Sequence, residues 1–159
     1  MIKAIKAISY KSMLEWKLGI GSLKKWTDKF DNVFIIHITE PGMKKLFADT
    51  NKSIVLEFLD IDLTKSNSIE DFDNQYLFNE EMANKIVKFL LSINKNENSN
   101  DLLLINCMAG ISRSGAVAWF ARILFNLDYD TFMELNPQIV PNQYVLSLLF
   151  NSYYNIVNS

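Results

Sequence analysis

The stretch Asp101-Leu102-Leu103-Leu104-Ile105-Asn106, followed by Cys107-Met108-Ala109-Gly110-Ile111-Ser112-Arg113 and then Ser114-Gly115-Ala116-Val117-Ala118-Trp119-Phe120-Ala121-Arg122-Ile123-Leu124-Phe125, decides how the chain folds. Its first part is a short run of branched apolar residues between two polar ones, the pattern of a buried strand. The last part is a long apolar segment that suits a helix covered on most sides. Between them lies a tight loop. A loop that leaves a strand and opens a helix aims its backbone N–H groups and the positive end of the helix dipole at one spot, which makes it an anion site. Cys107, the one cysteine of the chain, begins that loop and Arg113 closes it.

Each position has a chemical use there. A thiol that faces several N–H donors, a helix N-terminus and a guanidinium is stabilised as the thiolate, the nucleophilic form. The planar fork of Arg113 can reach back over the loop and hold two oxygens of a phosphate. Gly110 lets the backbone turn inward with no side chain in the way. Ser114 can cap the helix or offer its hydroxyl to the sulfur.

The run Cys107 to Ser114, a cysteine, five residues, an arginine and a serine, resembles the signature of the cysteine-dependent protein phosphatases, and most of all their compact dual-specificity branch. The resemblance covers roughly residues 33–150, most specifically 102–116. It implies a single α/β domain over residues 1–159, with a central, mostly parallel sheet flanked by helices and a strand, phosphate loop and helix as the active site. It also implies a phosphocysteine formed on Cys107. Arg113 and the loop residues Met108, Ala109, Gly110, Ile111 and Ser112 would hold the phosphoryl group, Ser114 would assist the sulfur, and no metal or cofactor would be needed. One departure stands out: the family usually places a histidine immediately before the cysteine, and here that residue is Asn106.

A departing alkoxide or phenoxide needs a proton, so the mechanism calls for a carboxylic acid over the loop. The family carries an aspartate for this on the loop that leaves the strand before the long helix preceding the cysteine strand. By strand position Asp60 is the first candidate and Asp62 the second. By distance along the chain Asp71 and Asp73 lie nearer the spacing of compact members. Strand position ranks above spacing, because loop insertions change spacing freely.

Outward from the signature, Ile2–Ile8 reads as an edge strand, and Ser12 offers a cap for a helix through Trp16 that ends at Gly19 and Gly21. Ser22 can cap a further turn through Trp26, and both tryptophans read as core packing. Residues 33–38 form the clearest strand of the first half and 53–59 the next. His37, the only histidine, lies in an apolar strand and reads as a satisfied core residue. Thr64 to Tyr76 reads as a long polar loop, of a kind uncommon in compact domains unless functional or mobile. The segment from Phe78 to Leu90 is an amphipathic helix with acids in its first turn. Asp128 or Asp130 can cap a short helix, and Asn142 a final one from Tyr144.

Composition bounds the rest. With 49% hydrophobic and 21% charged residues the chain is ordinarily globular. A formal charge of −2 gives no global pull toward nucleic acid or anionic membrane. A lone cysteine excludes an internal disulfide, and with no signal-like start the expected compartment is the cytoplasm. Apolar runs are too short and interrupted to span a bilayer. Met108, Ala109 and Ile111 add no charge to the loop, which favours a phosphorylated protein or a small aryl phosphate over a polyanionic substrate. A phosphate-binding module that turns its phosphorylated partner over poorly is the alternative, motivated by Asn106. Sulfur transferases and arsenate reductases resemble the chain less.

Overall fold

The computed structural model describes residues 1–65 and 74–159. Its four strands, β1 (Ile2–Ile8), β2 (Asn32–Thr39), β3 (Ser53–Glu57) and β4 (Asp101–Asn106), form one sheet in the order β1-β4-β2-β3. Every pairing is parallel, so the expected mostly parallel sheet is wholly so among the described residues. β4 is last in the chain and lies between β1 and β2.

Parallel strands need cover on both faces, and the alternation in β4 shows how it is met. Leu103 and Ile105 point to the larger core, shared with α3 (Glu80–Ile93), α4 (Arg113–Leu124), α5 (Tyr129–Leu135) and α6 (Gln143–Val157). Leu102 and Leu104 point the other way, to a smaller core with Met13 and Trp16 of α1 (Tyr10–Lys17), Leu23 and Trp26 of α2 (Ser22–Thr27), Leu46 and Phe47. All six β4 residues are buried. Both tryptophans pack as expected, and Trp16 also donates to Thr27 Oγ1 at 2.7 Å.

The outer edge of β1 is closed by side chains. Asn136 accepts from the Ala7 amide at 2.7 Å and donates to the Ile5 carbonyl at 2.8 Å, and Gln138 donates to the Ala7 carbonyl at 2.9 Å. The edge is thereby paired without a fifth strand.

The starts of α1, α3, α5 and α6 follow the side-chain capping rule, and the caps expected for α1 and α2 are corrected. Asn79, Asp128 and Asn142 cap α3, α5 and α6, each such cap contributing about 1 kcal/mol. The first helix is capped by Ser9, whose hydroxyl accepts from the Ser12 amide, and Ser12 is already inside. Gly21, with no side chain to offer, precedes α2 where Ser22 was expected to cap. β3 stops at Glu57 instead of Leu59: the Phe58 amide makes the last bond to β2, at the Thr39 carbonyl, and the Leu59 amide turns away to the Tyr76 carbonyl. Among the described residues no helix is long and apolar enough to cross a membrane.

Candidate active site

Cys107 follows β4, and its sulfur sits 2% exposed where the loop turns. The Gly110 amide donates to Sγ at 3.3 Å, and the Ser114 hydroxyl lies 3.1 Å from it. The amides of Met108, Ala109, Ile111, Ser112 and Arg113 find no acceptor among the described residues. Five uncommitted donors in one loop that runs into the N-terminus of α4 are the chemistry an anion site requires.

Two features impose this shape. Gly110 has φ of +75°, and a Cβ there would lie 2.5 Å from Ile8 C and 2.7 Å from Ser9 N, both backbone atoms. Glycine alone satisfies both conditions. Ser112, the residue before α4, makes no cap of its own; its hydroxyl donates instead to Asp60 Oδ1 at 2.9 Å. The helix forgoes a cap of about 1 kcal/mol and the site gains a fixed carboxylate.

Arg113 is 4% exposed. One terminal nitrogen donates to the Phe58 carbonyl at 2.8 Å and the other to Glu40 Oε1 at 2.7 Å. Its Nε is buried and has no partner among the described residues. A buried donor left unmade costs about 1–3 kcal/mol, more when its group is charged, so the guanidinium is set for a further acceptor.

Asp60 and Asp62 lie on one loop and are used differently. Asp60 Oδ1 also accepts from Asn142 Nδ2 at 2.8 Å, which holds the exposed carboxyl at the loop. Asp62 turns to the start of α6, accepting from the Gln143 amide at 3.1 Å and from the amide and hydroxyl of Thr64. Partial burial opposes its ionisation, but these bonds and Lys65 outweigh it and hold the carboxyl below its usual range. An acid kept ionised is a poor proton donor. Asp71 and Asp73 lie outside the described residues.

Three contributions were not legible beforehand. Glu40 holds Arg113 from 73 residues away. Asn142, expected only as a cap, caps α6 with its oxygen and holds Asp60 and the Ile61 carbonyl with its nitrogen. The Pro141-Asn142 pair was the one available signal. His37 is the buried core residue expected, yet it bonds Asn106 directly behind the cysteine. Among the described residues no group of three or more His, Cys, Asp or Glu could hold a metal ion.

Neither a family model nor a curated protein matches the chain. Among solved structures it is similar to PTPMT1 in complex with PI(5)P, at 14% identity and a TM-score of 0.48 over 98% of this chain and 94% of that one. It is also similar to the human tyrosine phosphatase-like serine/threonine/tyrosine-interacting protein, at 21% identity and a TM-score of 0.44 over 96% and 88%. A mutant form of Tk-PTP matches at 17% identity and a TM-score of 0.43 over 98% and 93%. All three are proteins of the cysteine-based tyrosine phosphatase superfamily, whose signature the run from Cys107 to Ser114 resembles. At these identities and TM-scores the likeness carries no inference about chemistry.

Proposed function

We propose that the chain is a cysteine-dependent phosphomonoester hydrolase acting on a phosphorylated protein or a small aryl phosphate in the manner of the dual-specificity phosphatases. One observation supports this reading above the others: a buried sulfur faces a loop of uncommitted amides beside a buried guanidinium whose Nε has no partner. Such an arrangement suits a dianionic oxyanion next to a nucleophile.

In the first step the Cys107 thiolate attacks phosphorus and the bond from phosphorus to the leaving oxygen breaks. Asp60 delivers its proton to that oxygen. The loop amides and Arg113 hold the three non-bridging oxygens, where charge is spread in the transition state. In the second step Asp60, now a carboxylate, takes a proton from water as the water oxygen attacks phosphorus. The phosphorus–sulfur bond breaks, the Ser114 hydroxyl stabilises the leaving thiolate from 3.1 Å, and inorganic phosphate departs.

The test is hydrolysis of p-nitrophenyl phosphate with a chelator present, beside Cys107→Ser. Turnover without metal that falls about 10⁴-fold or more in the variant supports the reading. Retained turnover in Cys107→Ser refutes the nucleophile, and absent turnover in the parent with vanadate still bound favours the phosphate-binding module.

A further inference from the structure

The inference concerns the nucleophile of that same site and rests on the hydrolase reading. His37 and Asn106 occupy paired positions of the neighbouring parallel strands β2 and β4, and both are fully buried. The Leu46 amide donates to His37 Nε2 at 3.0 Å. A backbone amide can only donate, so Nε2 carries no hydrogen and the ring proton is on Nδ1. Nδ1 donates to Asn106 Oδ1 at 2.6 Å. That orients the Asn106 amide nitrogen to donate to the Cys107 carbonyl at 3.3 Å.

The surroundings keep the ring in this one state. Tyr10 of α1 stacks on it at 6.1 Å and Phe47 meets it edge-on at 5.5 Å. Burial is the main effect lowering its pKa, and Lys17 of α1 adds to it, against the Asn106 bond, which favours the charged ring. An imidazolium would turn a second N–H against that of Leu46, so only the neutral ring fits.

We propose that His37 is a positioning residue for the nucleophile, acting through Asn106 on the backbone of Cys107. The histidine that the family sets directly before its cysteine has its counterpart one strand away, with the amide at position 106 as the relay. The relay begins at Leu46, in the segment that follows Glu40, the residue whose carboxylate holds Arg113.

Cys107 is the only thiol in the chain, so its alkylation by iodoacetamide reads the nucleophile without any turnover. His37→Phe keeps a ring and removes both hydrogen bonds. The exchange of His37→Asn with Asn106→His rebuilds the imidazole–amide pair in reverse order. A hydrogen bond on which a charged group depends biases its equilibrium by about tenfold. His37→Phe is expected to alkylate about tenfold more slowly near pH 6 and to lose about tenfold in kcat on p-nitrophenyl phosphate, with KM within about twofold. The exchange should regain most of both.

A His37→Phe protein that melts cooperatively and alkylates at the parent rate overturns the proposal, as does a folded exchange protein no faster than His37→Phe. If His37→Phe fails to fold, Asn106→Ala removes only the relay, and a parent-like alkylation rate there overturns it equally. A parent without turnover would refute the hydrolase reading, while the alkylation rates would still decide the role of His37.

Discussion

The two walls of the candidate site are held by different means. The Cys107 loop, residues 107–114, is held largely through its backbone: the Gly110 amide meets the sulfur, the Cys107 amide donates to the Ile8 carbonyl, and the carbonyls of Met108, Ile111 and Ser112 accept from the amides of Tyr10, Val140 and Asn142. The facing wall comprises residues 40–47 and 58–62. It is held by side chains far away in sequence: Glu40 to Arg113 across 73 residues, and Asn142 to Asp60 across 82. On the proposed mechanism, a single backbone distortion in the first wall misplaces the Cys107 sulfur, whereas losses in the second weaken its helpers one at a time.

The sharpest way to break the first wall is Gly110→Ala. The positive φ and the backbone atoms 2.5 to 2.9 Å from the new Cβ force the loop to move. A misplacement of about 1 Å at the reacting atoms is worth about 10²-fold in rate. Steady-state kinetics should therefore show kcat/KM down by about that factor, and unchanged kinetics would mean that the loop does not position the phosphate.

In the second wall, Asp60→Asn tests a helper whose first task is to protonate the leaving group. Turnover of phenyl phosphate should fall about 10²-fold. With p-nitrophenyl phosphate, whose leaving group needs no proton, the loss should stay under about tenfold. Equal losses on the two substrates would move the acid elsewhere, with Asp71 and Asp73 the next to try.

The smallest effect is expected at Asp62, which belongs to the same loop but serves the fold. Its folded-state pKa lies below the unfolded value, so the stability it contributes is full above the unfolded pKa of about 3.9 and is lost as pH falls through the lowered folded value. Asp62→Asn should cost about 0.5–1 kcal/mol in urea melts at pH 7, with the difference closing in acid. Turnover should stay within about twofold; a large loss would give Asp62 a part in the chemistry.

What could be read in advance divides along the same line. The strand, loop and helix from Asp101 to Leu124 were legible because their signals are local: a short continuous apolar run, one glycine in the turn, and serine and arginine at fixed offsets. Asp60 was ranked above Asp62 on strand order alone, as the first acid after the strand expected over residues 53–59. Glu40 and Asn142 could not be assigned to Arg113 and Asp60, because nothing in their own neighbourhoods encodes a partner some 73 or 82 residues away. Ser12 was expected to cap the first helix, but β1 ends at Ile8 and the helix starts straight after it, with Ser9 as the cap. His37 looked like packing because a core histidine and a relay present the same sequence. Only the register of β2 on β4, which sets it opposite Asn106, tells them apart.

The place of β4 in the sheet also bears on how the protein is made. Among the described residues it is the last strand in chain order and the one that joins β1 to β2, with Ile2 and Asn32 both paired at Asp101. Until it is synthesised, β1 and the β2–β3 pair have no common partner, so the sheet cannot close by local steps and long-range loop closure governs the rate. Closing the sheet and forming the loop that begins at Cys107 are then one event. A growing chain exposes strand edges that need protection from association, and it acquires the complete thiol site only when the whole sheet is in place.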